Sequence, residues 1–250
     1  MADRPIHQAA DMIRASSFVV ALTGAGISTP SGIPDFRSPS SGMWNAVNPM
    51  VVASIWGFHE HPKQFYQWFQ PLMRQIRAAL PNPAHLALAE MERNGWLRLL
   101  LTQNIDGLHQ LAGSQKVVEL HGHLRSATCM QCRHQVPTDD LWPKAERGEV
   151  LLCRECGGTL KPDVILFGEP LDHDCLREAQ ESALFCDLLI ATGSSLEVEP
   201  AADLPHLARR SGARVILINR QPTVADSIAD IVLRGDVATV LPELVQILRR

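Results

Sequence analysis

The sequence predicts an α/β fold in which a parallel sheet carries helices on both faces and a small lobe is attached to it. Short apolar runs typical of buried strands alternate with segments whose apolar residues recur at helical spacing. Several of the runs end in glycine or small polar residues, as expected where parallel strands share one ligand-binding edge. Two Cys-x-x-Cys pairs interrupt this alternation and predict a metal-braced part of the small lobe.

Length, composition and charge narrow the possible functions. The chain has 250 residues, 46% of them hydrophobic, and a formal net charge of −4. These values suit one large α/β domain with a small insertion. The acidic balance argues against direct nucleic-acid binding, which needs a basic face, and is compatible with basic protein tails as partners. We find no signal-peptide pattern and no apolar stretch of membrane-spanning length, so we expect no membrane partner and a cytoplasmic location.

The first predicted strand, residues 18–22, follows an amphipathic helix over residues 7–16 and runs into a glycine-rich turn. Gly24, Ala25 and Gly26 let the backbone pass close to a pyrophosphate, whose charge the N-terminus of a following helix stabilises. The third glycine of the usual G-x-G-x-x-G spacing is absent. Taken alone, the turn fits a nucleotide site and a plain tight turn equally.

The residues after this turn allow two interpretations. Asp35, Phe36 and Arg37 form either a lid over a cofactor or an ordinary surface loop. Further along, aromatic and aliphatic residues recur at helical spacing over residues 62–80, which indicates core packing. Asn82 and Pro83 then provide an N-cap and first turn for a helix that ends near residue 93.

Polar side chains follow the next two predicted strands at the point where each strand ends. The apolar run 96–101 leads to a stretch that contains Gln103, Asn104, Ile105 and Asp106, and a strand over residues 117–120 delivers His121. The carboxyl ends of parallel strands meet at one edge, where ligands bind. A lone histidine after a strand is commonly a core residue, whereas one beside a carboxylate is a candidate general base.

The cysteine pairs are Cys129 with Cys132 and Cys153 with Cys156. Their separation suits a tetrahedral Zn²⁺ ion bound by four thiolates, and a site so closed is structural rather than catalytic. A redox pair or a chance pattern is the competing interpretation. His134 is either a substitute ligand or a surface residue.

The C-terminal half returns to alternating elements. Strand-like content over residues 162–169 precedes a helix over 171–185, and strands are predicted over 187–192, 213–218 and 231–234. A helix over 200–210 and a last helix after Gly235 and Asp236 complete the pattern. The strand ends supply Gly193, Ser194, Ser195 and Asn219 to the shared edge.

Taken together, these motifs resemble those of the sirtuins, a family of NAD-dependent protein lysine deacylases, in a bacterial type with a single catalytic core. The resemblance covers nearly the whole chain. It is carried by residues 24–28, 32–37 and 103–109, by His121-Gly122, by both cysteine pairs, by residues 167–169 and 193–196, and by Asn219.

The resemblance implies a Rossmann-like NAD-binding domain joined to a smaller zinc-binding and helical lobe. The Rossmann-like domain would comprise residues 1–37, 81–122 and 160–250. Residues 38–80 would form the cofactor loop and the helical part of the small lobe, and residues 123–159 its zinc-binding part. NAD and an acyl-lysine peptide would meet in the cleft between them.

The resemblance also implies roles for individual residues. Contacts to NAD would come from Gly24, Ala25, Gly26, Asp35, Phe36, Arg37, Gln103, Asn104, Ile105, Asp106, Gly193, Ser194, Ser195, Asn219, Asp236 and Val237. The substrate peptide would pair as an added strand with Val164, Ile165, Leu166, Phe167 and Gly168. His121 would act as general base toward a ribose hydroxyl, with Asn104 and Asp106 as the other catalytic residues.

Deacetylation, with nicotinamide and O-acetyl-ADP-ribose as products, is the activity that the resemblance implies. Relatives that prefer acidic acyl groups carry a Tyr-x-x-Arg pair, whereas Tyr66 is followed at that spacing by the apolar Phe69. Those relatives also tend to lack the acidic residue held here by Asp35. We therefore expect acetyl groups, and by extension longer apolar acyl groups, to be removed in preference to succinyl groups.

Three other functions use parts of the same pattern. A mono-ADP-ribosyltransferase would use the same cofactor, but transfer to an acceptor does not need His121 in the same way. A non-catalytic NAD sensor or zinc-dependent binding module would lack Asn104, Asp106 and His121, which are present. A dehydrogenase would need only the nucleotide crevice, and the incomplete glycine fingerprint gives it little support.

Overall fold

The computed structural model describes residues 4–35 and 47–250. Its strands are β1 (Val19–Thr23), β2 (Leu99–Thr102), β3 (Val117–Glu119), β4 (Gly122–Cys129), β5 (Gln135–Pro137), β6 (Leu160–Val164), β7 (Leu188–Thr192), β8 (Arg214–Asn219) and β9 (Ile231–Arg234). Its helices are α1 (Arg4–Ala15), α2 (Pro49–Val52), α3 (Ile55–Glu60), α4 (Pro62–Ala78), α5 (Pro83–Arg93), α6 (Leu108–Leu111), α7 (Trp142–Ala145), α8 (His173–Phe185), α9 (Leu204–Arg210) and α10 (Val237–Leu248).

Six strands form a parallel sheet in the order β3-β2-β1-β7-β8-β9. The chain adds β2 and β3 on one side of β1 and later adds β7, β8 and β9 on the other side. The strand order therefore reverses between β1 and β7, and such a reversal opens a crevice at the carboxyl ends of the strands.

Both faces of this sheet are covered, so its strands are continuously apolar. Val19 and Ala21 of β1 pack in a core with α1, α5 and α10, whereas Val20 and Leu22 pack on the opposite face with α8 and α9. All five residues of β1 are buried. This burial is typical of parallel sheets whose crossovers place helices on both sides. The predicted fold class is confirmed.

A second sheet, in the order β5-β4-β6, is antiparallel. The stretch predicted as strand-like over residues 162–169 contributes β6 to this sheet and not to the parallel one, because β6 pairs with β4. The pattern of apolar residues in the sequence does not show which of the two sheets a strand joins. The division of the chain into domains given above stays a prediction.

The helical part of the small lobe packs around an aromatic cluster. The rings of Phe58 and Phe65 meet edge to face with centroids 5.0 Å apart, and Phe65 stacks on Phe69 at 5.2 Å. Burial of each such ring contributes about 2–3 kcal/mol to the free energy of unfolding. The same core includes Leu124 and Leu160 from the antiparallel sheet. The two parts of the lobe therefore share one core.

Local signals explain where the helices begin. The Asn82 side chain accepts a hydrogen bond from the Ala84 amide at 2.9 Å, as the predicted N-cap requires. Asp172 caps α8 by accepting from the Asp174 and Cys175 amides. The helix predicted over 200–210 consists of a 3₁₀ turn, Ala201–Asp203, followed by α9. Among residues 4–35 and 47–250, no helix is both long and apolar enough to cross a membrane.

Candidate active site

The three central strands end at the same level. Thr23 of β1 is in register with Thr102 of β2 on one side and with Thr192 of β7 on the other. The residues that follow, Gly24, Gln103 and Gly193, therefore leave the sheet side by side. They line a cavity of about 1140 Å³ at the point where the strand order reverses. This volume is slightly above the range of about 300–1,000 Å³ that is typical of small-molecule and cofactor sites.

The glycine turn after β1 is shaped by close contact with the turn after β7. The Gly26 amide donates to the Gly193 carbonyl at 2.8 Å. A Cβ atom on Gly24 would lie 2.8 Å from the Ser194 Cβ, and one on Gly26 would lie 2.8 Å from the Gly193 oxygen. Gly193 itself has a φ of +62°, which favours glycine. Glycine is thus required at each of these positions for the two turns to meet.

The turn opens a 3₁₀ segment, Ala25–Ile27, and a second one, Thr29–Ser31, rather than the helix that was expected after it. The dipole of a long helix is therefore not available to a phosphate here. The two glycine turns instead pack closely backbone to backbone, and this arrangement is the one that would have to hold a pyrophosphate.

A hydrogen-bonded network holds Asn104 and Asp106 in place. The Ser28 hydroxyl donates to the Asp106 carboxylate at 2.7 Å and accepts from the Asn104 side-chain amide at 3.1 Å. The Asp106 carboxylate also accepts from the Leu108 amide at 2.9 Å. Burial raises the pKa of Asp106, and the hydrogen bonds from Ser28 and Leu108 oppose that rise. Ser28 was absent from the predicted site, although it closes the glycine motif.

Two buried histidines lie behind this network. The His85 Nε2 atom is 3.4 Å from the Ser28 hydroxyl, and the His109 Nε2 atom is 2.9 Å from the Thr23 hydroxyl. The two rings are 4.9 Å apart. Burial lowers the pKa of His85 to about 4, and burial together with the nearby His85 lowers the pKa of His109 well below its ordinary value. Both rings are therefore neutral near pH 7.

The hydroxyls next to His109 continue toward Asn104. The Thr23 hydroxyl donates to the Thr102 hydroxyl at 2.8 Å, and the Thr102 hydroxyl accepts from the main-chain amide of Asn104 at 3.1 Å. The main chain and the side chain of Asn104 are thus held by separate hydrogen bonds. This rigidity suits a residue that has to orient a ligand.

His121 comes two residues after β3 and lines the same cavity as the glycine turns. Its Nδ1 atom is 2.9 Å from the Gln103 carbonyl oxygen. A carbonyl only accepts hydrogen bonds, so Nδ1 carries the proton in the neutral ring and Nε2 is the basic nitrogen. The arrangement is that of a general base with its orienting group.

The other end of the cavity is polar. The Gln103 side-chain amide donates to the Ser194 hydroxyl at 3.0 Å, which ties the turns after β2 and β7 together. Asp236 caps α10 by accepting from the Ala238 amide at 2.9 Å and forms an ion pair with Arg220 at 2.6 Å. These groups, together with Asn219, offer hydrogen-bond partners suitable for the adenosine half of a dinucleotide.

The segment 164–168 lies along the cavity beside His121. The Ile165 amide donates to the His121 carbonyl at 2.9 Å. The Phe167 amide and carbonyl bond to Ala53 and Ile55. Within residues 4–35 and 47–250, no hydrogen bond involves the Ile165 carbonyl or the amide and carbonyl of Gly168. An added strand would therefore find the Ile165 carbonyl and the main chain of Gly168 available for pairing.

The helical lobe supplies an apolar wall. Phe65, Trp68, Phe69, Leu72 and Ile76 of α4 line the cavity. The aromatic stripe was interpreted as core packing, and it both packs in the core and faces the site.

Tyr66, which precedes Phe69 at the Tyr-x-x-Arg spacing, does not line the described part of the cavity. Its side chain is fully buried away from the cavity lining, and its hydroxyl donates to the Leu160 carbonyl at 2.6 Å. Burial raises the pKa of Tyr66. Its role in the described structure is to tie α4 to β6.

The four paired cysteines converge. Their Sγ atoms all lie within 4.8 Å of one another, with Cys129 and Cys156 at 3.5 Å and Cys132 and Cys153 at 3.7 Å. Zinc–sulfur bonds of about 2.3 Å in a tetrahedron place the sulfur atoms roughly 3.8 Å apart. Both of these contacts join cysteines from different Cys-x-x-Cys pairs, as expected for four ligands around one ion. The cluster fits a structural zinc ion, and the side chain of His134 does not belong to it.

Comparison with known proteins decides the family. Residues 24–200 match the model of the Sir2 family. The chain belongs to the Sir2 family. It is 44% identical over 246 residues to the NAD-dependent protein deacylase 2 of Archaeoglobus fulgidus, covering 98% of this chain and 96% of the relative. The predicted resemblance to the sirtuins is confirmed.

Solved Sir2 structures agree with this chain over nearly its full length. One, from work on the mechanism and regulation of Sir2 enzymes, has a TM-score of 0.94 and 43% identity and covers 99% of both chains. Another, a Sir2 variant with a deacetylated p53 peptide and 3′-O-acetyl ADP ribose, has a TM-score of 0.90 and 39% identity, with coverage of 97% and 96%.

In this Sir2 protein the structure brings the predicted site residues together. The predicted residues that line the cavity are Gly24, Ala25, Gly26, Asp35, Gln103, Asn104, Ile105, Asp106, His121, Val164, Ile165, Leu166, Phe167, Gly168, Gly193, Ser194, Ser195, Asn219, Asp236 and Val237. Phe36 and Arg37 lie outside the described residues. The roles of these residues toward NAD and peptide stay predictions.

Proposed function

We propose that this Sir2 protein is an NAD-dependent protein lysine deacetylase that releases nicotinamide and O-acetyl-ADP-ribose. The observation that carries the proposal is the position of His121. Its ring, oriented by Gln103, lines the same cavity as Asn104, Asp106 and the glycine cradle. The names of the relatives and the acetylated product in the related structure support this activity.

Different residues around the cavity bind the cofactor and act on the substrate. The turns that contain Gly24 and Gly193 hold the pyrophosphate, and Asn104 and Asp106 orient the nicotinamide half. When bound, NAD would supply the ribose carbon that accepts the acyl oxygen while the bond from that carbon to nicotinamide breaks. His121 takes a proton from a ribose hydroxyl through Nε2, and such proton transfer contributes about 10²–10⁴-fold to rate.

The apolar wall selects the acyl group. Phe65, Trp68 and Phe69 present rings to the cavity. A carboxylate placed against them would lose hydration and gain no counter-charge. Acetyl and longer apolar acyl groups fit this surface, whereas succinyl groups do not.

The zinc cluster braces the lobe that carries this wall. Cys129 and Cys153 are buried in the same core as Phe69. A closed set of four thiolates leaves the ion no position for substrate, so its contribution is structural. All six cysteines are free of disulfide bonds, and four of them form the metal site. This usage of cysteine is typical of reducing compartments, which supports a cytoplasmic location.

A mass-spectrometric assay of an acetyl-lysine peptide tests the proposal. We expect loss of the acetyl group only with NAD present, with nicotinamide and O-acetyl-ADP-ribose appearing together. Modification of protein by ADP-ribose, with the acetyl group retained, would instead indicate a mono-ADP-ribosyltransferase. Binding of NAD without either product, for acetyl and longer acyl peptides alike, would indicate a non-catalytic sensor.

A further inference from the structure

Lys161 is a buried cation at the end of the small sheet. It is 8% exposed, and its Nζ atom donates to the Val164 carbonyl at 2.8 Å and to the Pro162 carbonyl at 3.1 Å. The same atom lies 3.1 Å from a carboxylate oxygen of Glu169. Lysine is rarely buried to this degree unless it is paired. The side chain therefore bridges from β6 to the far end of segment 164–169.

Glu169 closes the other end of this bridge. Its carboxylate oxygen accepts from the Leu166 amide at 2.9 Å, and its own amide donates to the Leu166 carbonyl at 3.0 Å. One residue thus satisfies both main-chain groups of Leu166. Lys161 and Glu169 together fix the backbone of segment 164–168 at two carbonyls and one amide.

The segment held in this way touches the catalytic region on both sides. The Ile165 amide bonds to the His121 carbonyl, and Phe167 bonds to Ala53 and Ile55. The cavity lining includes Gly168 and Glu169. Any slip of the segment would therefore change the edge that is offered to a peptide, while the glycine cradle after β1 and β7 would stay in place.

We propose that Lys161 and Glu169 are a positioning pair that holds segment 164–168 in the register needed to receive the acyl-lysine peptide. The proposal rests on the proposed deacetylase function. The effect of the two residues on catalysis passes through the backbone of the segment and is directed at the peptide rather than at NAD.

A purely structural role for the ion pair makes a different prediction. A pair that only stabilised the lobe would lower the amount of folded enzyme and would leave the KM values of the folded fraction unchanged. A pair that sets the register raises the KM for peptide and leaves the KM for NAD nearly unchanged. The two roles are therefore separable by steady-state kinetics.

The test compares Lys161→Met and Glu169→Gln with the parent chain in NAD-dependent deacetylation of one acetyl-lysine peptide. Methionine removes all three donations, whereas glutamine retains an oxygen for the Leu166 amide and loses the charge. We expect the peptide KM to rise about ten-fold in Lys161→Met and about three-fold in Glu169→Gln. The NAD KM and the kcat at saturating peptide should change by less than about two-fold.

Arg147→Met is the matched control, because Arg147 and Glu149 form an exposed ion pair at 2.5 Å in the same lobe. Its peptide KM should equal that of the parent chain. Hydrogen exchange of the unliganded proteins gives a second readout, in which the amides of segment 164–168 should exchange faster in Lys161→Met and Glu169→Gln while those of β2 do not.

The outcomes separate this proposal from the function on which it rests. An unchanged peptide KM in folded variants, or an NAD KM that rises as much as the peptide KM, would overturn the positioning pair. Unchanged exchange of segment 164–168 would overturn it as well. A parent chain that turns over no acylated peptide would refute the proposed function, and the assignment of the segment to a peptide would fall with it.

Discussion

The Nδ1 atom of His121 lies 2.9 Å from the carbonyl oxygen of Gln103, the residue that follows β2. This contact joins the ends of two neighbouring strands and fixes the tautomer of the ring, because the carbonyl cannot donate. The His121 carbonyl in turn accepts from the Ile165 amide at 2.9 Å. The same residue is thus connected to the end of β2 through its ring and to segment 164–168 through its backbone.

Replacing His121 should abolish the base while leaving the fold intact. The side chain is only partly buried, so His121→Ala leaves no large cavity in a core. We expect kcat for deacetylation to fall by about 10²–10⁴-fold, the usual contribution of a positioned general base. Steady-state assays with an acetyl-lysine peptide measure this, with the exposed His134→Ala as control. Activity of His121→Ala near that of the control would contradict the assigned role.

Much of this site could be predicted from the sequence because parallel strands deliver the residues that follow them to one edge. Gly24, Gln103 and Gly193 each come directly after an apolar run, and the register of Thr23, Thr102 and Thr192 places them side by side. No knowledge of packing was needed for that step. The convergence of the four cysteines was predictable for a similar reason, since spacing alone limits their geometry.

The features of the site that could not be predicted from the sequence depend on which residues a buried side chain contacts. Helical periodicity places Phe65, Tyr66 and Phe69 on a buried side of α4, yet Tyr66 faces Leu160 while the two phenylalanines face the cavity. Both surroundings are apolar, so the pattern does not distinguish them. His85 similarly looked like an interior position of a helix, and only the fold places it against Ser28.

The apolar wall predicts the order of acyl preference. None of the α4 side chains that line the described part of the cavity, namely Phe65, Trp68, Phe69, Leu72 and Ile76, carries a charge. We expect kcat/KM for a succinyl-lysine peptide to be at least about 100-fold below that for the acetyl peptide, because an unpaired buried charge costs several kcal/mol. Competition between peptides that differ only in the acyl group measures the ratio. Comparable rates for the two would contradict the role of the wall.

The cysteine cluster predicts one tightly held metal ion. We expect about one zinc per chain by elemental analysis, on the basis of four thiolates in a closed tetrahedral set. Cys132→Ser should lose the metal and unfold at a lower temperature, since zinc binding contributes directly to folding. Cys186→Ala and His134→Ala should both retain it, because neither side chain belongs to the cluster. Zinc retained at full occupancy in Cys132→Ser would rule out this ligand set.

The buried His85 predicts a loss of stability in mild acid. Its pKa is lowered to about 4 in the folded protein, whereas the unfolded chain binds the proton near pH 6.5. Above pH 6.5 both states are neutral and the full stability is present. As the pH falls from 6.5 toward 4, only the unfolded state gains the proton, so the free energy of unfolding decreases by about 3 kcal/mol at most.

Denaturant titrations across this range should show a shallower pH dependence in His85→Gln than in the parent chain. The raised pKa of Asp106 acts in the opposite direction in both proteins. His109 adds a decrease of the same sign, and His85→Gln also reduces that decrease, because the nearby His85 contributes to the lowered pKa of His109. Equal slopes for the two proteins would show that His85 takes up its proton as readily when folded as when unfolded.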